Sequence, residues 1–373
     1  MLPRRHPRYT ILLGLLLLGT LALLLPDSPL RSSYTPRPHI STPHVQTETG
    51  VLSASVQRAE RVYQRMLRMR ERLITKYGPR PENIVLFPPD KDPWPAYTVW
   101  DFFPPAFNCP HEIERVGALG DGGKWVCGLS RLRHKEDCVI YSVGSPADAS
   151  FEAEVLARTE FCQLFLYDPS SSSAPRALTR QDNLDLAPED VEDGPWDAHG
   201  RVHFKRWGVA GWEAHGPDDK VKLYTLQSLM KANGHTHIDL LKVDLEGWEF
   251  DALSTFVAAQ SPNGLPPYTT AAPVPEDVPM LPVGQMLLEL HLWGRPFPDL
   301  LHWWTVLERA GLRATASEPN LVYQNYNRGQ SSELADYTFV NVRTPNVFTS
   351  ELTPPPPPPA PARDEEEVVS KES

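Results

Sequence analysis

Residues 238–250 read Ile-Asp-Leu-Leu-Lys-Val-Asp-Leu-Glu-Gly-Trp-Glu-Phe. The stretch begins as a short apolar run, which is typical of a buried parallel strand. Asp244 and Glu246 follow where this strand should end. Gly247 then relieves the backbone before a helix whose first turn carries Glu249. Ligands of open α/β sheets bind beyond the carboxyl ends of the strands, so the two acids are either a candidate site or caps of the following helix.

The composition indicates one large domain or two small ones, with additional unstructured segments. The chain has 373 residues, of which 41% are hydrophobic, and its 40 prolines are about twice the ordinary usage. The formal net charge of −11 argues against a nucleic-acid partner, because such a partner favours a basic face. The cysteines form no CxxC pair or Cys/His cluster, so we expect no structural zinc and assign no metal ligands.

The amino-terminal residues predict a membrane anchor. Residues 1–8 carry Arg4, Arg5 and Arg8, and an uncharged, leucine-rich run over residues 9–25 follows. This run is just long enough to span a bilayer, and a cleaved signal peptide is the rival interpretation. Because no convincing cleavage site follows, we expect a signal anchor with a cytosolic amino-terminal tail. The protein would then be a single-pass type II membrane protein of the Golgi or the ER lumen.

Three further segments follow the expected anchor. Residues 26–93 have the composition of a Pro/Ser/Thr-rich stalk, within which residues 53–77 show the amphipathic period of a helix. This helix either self-associates or packs on its own domain. Residues 94–350 have a globular composition, and we expect the catalytic domain there. Residues 351–373 are typical of a disordered, Pro-rich and acidic tail.

Strands and helices alternate from residue 138 to residue 312, which predicts an α/β fold with a mostly parallel sheet. The expected strands are residues 138–143, 162–167, 202–207, 238–243, 285–292, 321–324 and 337–342. The first strand ends at Gly144 and the second at Asp168. A glycine allows close backbone approach and an acid accepts hydrogen bonds from ribose hydroxyls, so this pair suits a nucleoside cofactor.

A glycine-rich segment precedes the first of these strands. Residues 120–124 read Gly-Asp-Gly-Gly-Lys and are a candidate phosphate cradle. The segment lacks the spacing of a P-loop and has no strand before it, so a plain tight turn is the alternative.

The four cysteines allow three disulfide pairings. We favour Cys109 with Cys127, which would clamp the chain before the first strand onto the glycine-rich turn. Cys138 and Cys162 begin neighbouring strands, and we expect them to be buried thiols.

Four motifs occur in order along the expected domain. They are Tyr-Ser-Val-Gly-Ser-Pro-Ala-Asp-Ala-Ser-Phe-Glu (141–152), Leu-Tyr-Asp-Pro-Ser (166–170), Leu-Leu-Lys-Val-Asp-Leu-Glu-Gly-Trp-Glu (240–249) and Leu-Glu-Leu-His (288–291). Together they resemble the methyltransferase-like family related to the FkbM methyltransferases. Residues 120–127 resemble the segment before that family's first strand, and the resemblance spans residues 94–343. It implies a Rossmann-like, class I methyltransferase sheet of seven strands, the last antiparallel, with S-adenosylmethionine as cofactor.

The resemblance implies O-methylation of a hydroxyl or carboxyl acceptor. The expected cofactor-binding residues are Gly122, Lys124, Gly144, Ser145 and Asp168. The expected catalytic residues are Asp244, Glu246, Glu289 and His291. Carboxylates and a histidine at strand ends suit the removal of a hydroxyl proton, although a lone histidine is as often structural.

Two other functions compete with methyl transfer. A Golgi type II glycosyltransferase shares the expected anchor and stalk, and it would use Asp244 and Glu246 to bind the metal of a sugar nucleotide. A catalytically inactive adhesion or scaffold domain is the third interpretation. The expected partners are the membrane, through the amino-terminal helix, and an unknown acceptor that is a glycan, a lipid-linked sugar or a protein.

Overall fold

A computed structural model describes residues 51–86, 97–144, 148–175, 178, 200–261, 274–321, 323 and 332–351. The chain divides into two compact units, Met1–Gln46 and Thr47–Ser373. The first unit lies outside the described residues, as do Ser145 and most of the expected carboxyl-terminal tail.

The described part of the second unit includes five α-helices and eleven strands. The helices are α1 Val51–Tyr77, α2 Ser150–Ala157, α3 Leu226–Asn233, α4 Glu249–Ala259 and α5 Phe297–Arg309. The strands are β1 Ile113–Val116, β2 Lys124–Cys127, β3 Val139–Val143, β4 Gln163–Tyr167, β5 Val202–Lys205, β6 Trp207–Val209, β7 Lys222–Tyr224, β8 Ile238–Val243, β9 Val283–His291, β10 Leu312–Pro319 and β11 Leu334–Asn341.

Seven of the strands form one sheet in the order β10-β11-β9-β8-β3-β4-β5. Neighbours from β9 through to β5 pair in parallel, whereas β11 is antiparallel to both β9 and β10. Strand β11 therefore runs against the other six. This arrangement confirms the expected α/β fold with a mostly parallel sheet and an antiparallel last strand.

The sheet is covered on both faces, which explains why β8 carries apolar residues on both of its faces. All six residues of β8 are buried, and four of them are apolar. Leu241 and Val243 pack in one hydrophobic cluster with residues of α3, α4 and α5. Leu240 packs in a second cluster with residues of α2. Successive side chains of a strand alternate between faces, so a strand between two helical layers needs apolar residues on both.

Helix α1, predicted at residues 53–77, packs on the domain. Its buried Tyr63 and Met66 lie against Phe107 in a small hydrophobic cluster. The buried Arg70 guanidinium donates two hydrogen bonds to the carboxylate of Glu308 on α5, at 2.8 and 3.0 Å. This part of the expected stalk is thus held against the sheet domain by an apolar stripe and an ion pair.

Both pairs of cysteines form disulfides. The Cys109–Cys127 bond confirms the prediction. Our expectation that Cys138 and Cys162 are thiols was wrong, because they too are bonded. Val139 pairs with Gln163 at the start of β3 and β4, and this register places the two preceding cysteines opposite each other, with their Cα atoms 4.4 Å apart.

The sixth strand of the sheet lies earlier than predicted. We expected it at residues 321–324, but β10 follows α5 almost directly. Gly311 makes this possible, because its φ of +110° turns the chain from the helix into the strand. The predicted strand at residues 202–207 is also divided, since β5 joins the main sheet and β6 pairs with β7.

Within the described ranges, none of the helices combines the length and the apolar character that crossing a bilayer requires. This finding corrects the expectation of a single-pass type II membrane protein of the Golgi or the ER lumen. The run over residues 9–25, on which that expectation rested, lies outside the described residues.

Candidate active site

A cavity of about 510 Å³ opens beyond the carboxyl ends of β3, β4 and β8. After β3 the chain extends the sheet to β4 and β5, and it then returns to add β8 on the other side of β3. The cavity therefore lies at the point where the strand order reverses, which is where open α/β sheets bind ligands. Residues that line it include Gly144, Asp168, Ser170, Asp244, Glu246 and Trp248.

Gly144 forms the floor of the cavity at the end of β3. Its φ is +86°, and a Cβ atom added there would lie 1.6 Å from the carbonyl oxygen of Asp244. No residue other than glycine fits this position without moving the end of β8. The glycine thereby lets the ends of β3 and β8 approach each other closely. Its expected contact with a cofactor stays a prediction.

Asp168 lies at the cavity wall after β4, and its side chain is held in place by the following loop. The residue is 3% exposed. Its Oδ1 accepts hydrogen bonds from the backbone N–H of Ser170 (2.6 Å), from the hydroxyl of Ser170 (2.5 Å) and from the backbone N–H of Ser171 (3.0 Å). Among the described residues no donor contacts Oδ2, so this oxygen is available to a ligand.

Asp244, Glu246 and His291 meet beside the cavity, which Asp244 and Glu246 help to line, and we call them the acid–histidine cluster. One polar atom from each lies within 4.8 Å of the others. His291 Nε2 is 3.6 Å from Glu246 Oε2. Asp244 and His291 are buried, whereas the side chain of Glu246 is 73% exposed. The cluster joins the ends of two neighbouring strands, β8 and β9, as the sequence predicted for these residues.

Glu249, the first residue of α4, fixes the histidine of the cluster. Its fully buried carboxylate accepts the backbone N–H of His291 at 2.6 Å and faces His291 Nδ1 at 3.3 Å. It also accepts the backbone N–H of Gly247 at 2.8 Å. Burial by itself lowers the pKa of His291, but the hydrogen bond and the charge of Glu249 raise it above its usual value.

The role of Glu249 was not found from the sequence. Its position suggested an acid in the first turn of a helix, which is favourable at any helix start. Its partner His291 is 42 residues away, so no local pattern joins the two. The only available signal was the carboxylate two residues beyond Gly247.

Lys124 and Glu289 lie in a separate buried network next to the cluster. Lys124 Nζ is 2.9 Å from Glu289 Oε2 and 2.7 Å from Asp336 Oδ1, and Asn320 donates a hydrogen bond of 2.8 Å to Glu289 Oε1. The structure does not place Lys124 or Glu289 among the described residues that line the cavity. Gly122 lies against Asp148 instead, since a Cβ atom there would be 2.1 Å from Asp148 Oδ2.

Lys124 contacts both acids of this network, Glu289 and Asp336, and burial determines which of the two carboxyl groups stays protonated. Burial disfavours the charge of Lys124, but the carboxylates of Asp336 and Glu289 raise its pKa above the usual range. Burial would raise the pKa of Glu289, yet Lys124 lowers it overall. For Asp336 burial prevails and raises the pKa to about 7. Burial, with help from the charge of Glu289, raises the pKa of Asp244 to about 6.

Two family models match the chain. The first, a methyltransferase domain, matches residues 65–183. The second, the methyltransferase FkbM domain, matches residues 194–313. The resemblance to the FkbM-related methyltransferases is confirmed. Both matched ranges contribute to the cavity, since Gly144 and Asp168 lie in the first and the acid–histidine cluster lies in the second. Neither model describes a glycosyltransferase.

Comparison with solved structures gives weak likenesses. The Methanococcus jannaschii fibrillarin pre-rRNA processing protein is 10% identical over 56% of this chain and 67% of its own, with a TM-score of 0.27. A putative rRNA-methylase from Clostridium thermocellum is 9% identical over 57% of this chain and 92% of its own, with a TM-score of 0.28. These TM-scores are too low for the likenesses to bear on the function of this chain. A comparison with curated proteins found no match.

The raised pKa of Asp336 makes stability depend on pH. Its usual value is 3.8 and its folded value is about 7, so the folded protein keeps a proton that the unfolded chain has lost. The contribution of Asp336 to the free energy of unfolding therefore falls as the pH rises from about 4 through 7. Asp336→Asn removes this ionisation. We therefore expect the free energy of unfolding of the variant to rise by about 2–4 kcal/mol relative to that of wild type over this pH interval.

Urea unfolding at pH 4 to 8 measures this difference. Asp218→Asn, at an exposed position, is the control for the loss of a surface charge. If the free energies of unfolding of Asp336→Asn and wild type differ by an amount that stays constant or shrinks as the pH rises, Asp336 is ionised throughout this range.

Proposed function

We propose that this protein is an S-adenosylmethionine-dependent methyltransferase that transfers the methyl group to a hydroxyl acceptor. The observation that carries the proposal is the cavity at the reversal of strand order. Its lining includes the glycine and the acid that suit a nucleoside, together with Asp244 and Glu246 of the acid–histidine cluster. The matches to two methyltransferase family models support the same class of reaction.

Gly144 and Asp168 would hold the donor. The cavity, at about 510 Å³, lies within the range of about 300–1,000 Å³ typical of small-molecule sites. Asp168 Oδ1 is held by Ser170 and Ser171, which leaves Oδ2 to accept hydrogen bonds from ribose hydroxyls. When bound, S-adenosylmethionine supplies a methyl group carried on a sulfonium. The roles first expected for Gly122, Lys124 and Ser145 remain predictions.

The acid–histidine cluster would bind the acceptor hydroxyl and remove its proton. Glu249 accepts from His291 Nδ1–H, so the neutral ring presents an unprotonated Nε2 towards Asp244 and Glu246. Removing the proton as the methyl group arrives is general-base help, and the raised pKa of His291 makes it a stronger base. Glu289 would act at a distance, through its charge and its bond to Lys124.

The same cluster favours a hydroxyl over a carboxyl acceptor. A carboxylate near neutral pH has no proton to remove, and the charges of Asp244 and Glu246 would repel it. Trp248 and Trp293 are 43% and 49% exposed. Trp293 lies beside the ring of His291, with ring centroids 4.9 Å apart. The two indole rings give the body of an acceptor a flat apolar surface next to the reacting hydroxyl.

Asp168 should matter to donor affinity. A carboxylate that accepts ribose hydroxyls makes charge-assisted hydrogen bonds of about 1.5–3 kcal/mol each. We therefore expect Asp168→Ala to weaken S-adenosylmethionine binding by about tenfold or more, as calorimetric titration would show. Asp251→Ala, which removes an exposed acid on α4, should bind the donor as wild type does. Unchanged affinity in folded Asp168→Ala would remove this residue from the site.

Asp244 and His291 should affect turnover more than donor affinity. Because general-base help is typically worth about 10²–10⁴-fold, we expect Asp244→Asn and His291→Ala each to slow methyl transfer within that range. The assay follows S-adenosylhomocysteine formation, with extract of the expressing cells as the source of acceptor. Donor affinity should stay near that of wild type in both variants.

The control for the histidine change is His134→Ala, whose side chain is exposed. Melting temperatures of all variants separate loss of folding from loss of chemistry. Full activity per folded molecule in both cluster variants would end the acid–base assignment.

A further inference from the structure

We propose that Asp244, Glu246 and His291 bind a divalent metal ion. The site goes beyond the proposed methyl transfer, because an ion at these side chains can be measured with neither donor nor acceptor present. The three residues come from two strand ends that are far apart in sequence, and no short motif unites them. Their arrangement in space carries the inference.

The distances within the acid–histidine cluster suit a shared ion. Its two carboxylate oxygens and one imidazole nitrogen lie within 4.8 Å of one another. Metal bonds to oxygen and nitrogen are about 2.0–2.4 Å long, so two ligands of one ion are separated by at most about twice that length. An ion at the centre of the cluster therefore reaches all three residues with small side-chain movements.

Asp244 supplies the second observation. It is 7% exposed and lines the cavity, yet no described residue donates a hydrogen bond to its carboxylate or forms an ion pair with it. Buried carboxylates are normally paired, because leaving water without a compensating partner costs several kcal/mol. The buried acids near Asp244 have such partners: Glu249 accepts a hydrogen bond from His291, and Glu289 accepts one from Lys124. A cation in the cavity would give Asp244 its partner.

The environment of His291 is also that of a metal ligand. Histidines that bind metals donate their second ring N–H to a carboxylate or a carbonyl, which fixes the ring and its tautomer. Glu249 occupies that position at Nδ1, while Nε2 faces the two acids of the cluster. The exposed carboxylate of Glu246 lies at the open side and can swing onto an ion as it enters.

Two carboxylates and one imidazole favour manganese among the common divalent ions. Calcium and magnesium prefer oxygen ligands alone. Structural zinc sites use thiolates, and catalytic zinc sites use at least two histidine or cysteine ligands, whereas this cluster has one histidine. Three protein ligands leave further positions of an octahedral ion open towards the cavity. With an ion bound, Nε2 of His291 is a ligand and no longer acts as the base; an acceptor hydroxyl bound to the ion would instead lose its proton to water more readily. That consequence rests on the proposed methyl transfer, whereas ion binding itself does not.

Electron paramagnetic resonance of Mn²⁺ titrated into the purified full-length chain tests the site. We expect one bound Mn²⁺ per chain. Asp244→Asn and Glu246→Gln should each weaken binding by at least about tenfold, because an amide is a much poorer metal ligand than a carboxylate. Asp168→Asn is the matched control, since it removes a buried acid of the same cavity that lies outside the cluster. It should bind Mn²⁺ as wild type does.

Glu246→Gln keeps the test decisive if Asp244→Asn does not fold, since the exposed Glu246 side chain contributes little to the core. Absence of Mn²⁺ binding at about 1 mM, or binding that both cluster variants retain, would overturn the proposal. Binding that is lost only in Asp168→Asn would do so too. Donor affinity measured in EDTA tests methyl-donor binding separately, so failure of the metal site is distinguishable from failure of the proposed function.

Discussion

The close approach of β3 to β8 is the constraint on which the site depends. A Cβ atom at Gly144 would lie 1.6 Å from the carbonyl oxygen of Asp244, so only glycine allows these two strand ends to meet. These strand ends meet where the order of the strands in the sheet reverses, and the cavity opens at that point. Backbone sterics thus bring Asp244 into the same pocket as Gly144 and Asp168.

Around that point the protein buries more negative charge than it neutralises. Lys124 neutralises Glu289 and partly neutralises Asp336, and His291 is held by Glu249. Asp244 has no comparable partner among the described residues. Uncompensated buried charge is costly, and it concentrates where a protein binds or transforms a ligand. A metal ion at the acid–histidine cluster would offset this charge.

The sequence was sufficient to predict the features whose signals lie within one short segment. The glycine after β3, the acid after β4 and the two acids after the apolar run of β8 each lie within one short segment, and all of them line one cavity. The sequence was insufficient for contacts that depend on strand register or on residues that are distant in the chain. The pairing of Glu249 with His291 and the disulfide between Cys138 and Cys162 depend on which strands become neighbours. The half-polar strand β10 was missed because it begins directly after Gly311, whose positive φ turns the chain out of α5.

Equilibrium dialysis of isotopically labelled S-adenosylmethionine against the full-length chain, in EDTA, tests the central claim most directly. The account predicts one molecule bound per chain and its displacement by S-adenosylhomocysteine, because both share the nucleoside that Gly144 and Asp168 would hold. Absence of donor binding at about 1 mM, where even a weak site of about 4 kcal/mol is half filled, would contradict it. Saturable binding of a uridine diphosphate sugar with Mn²⁺ in place of the donor would point to glycosyl transfer instead.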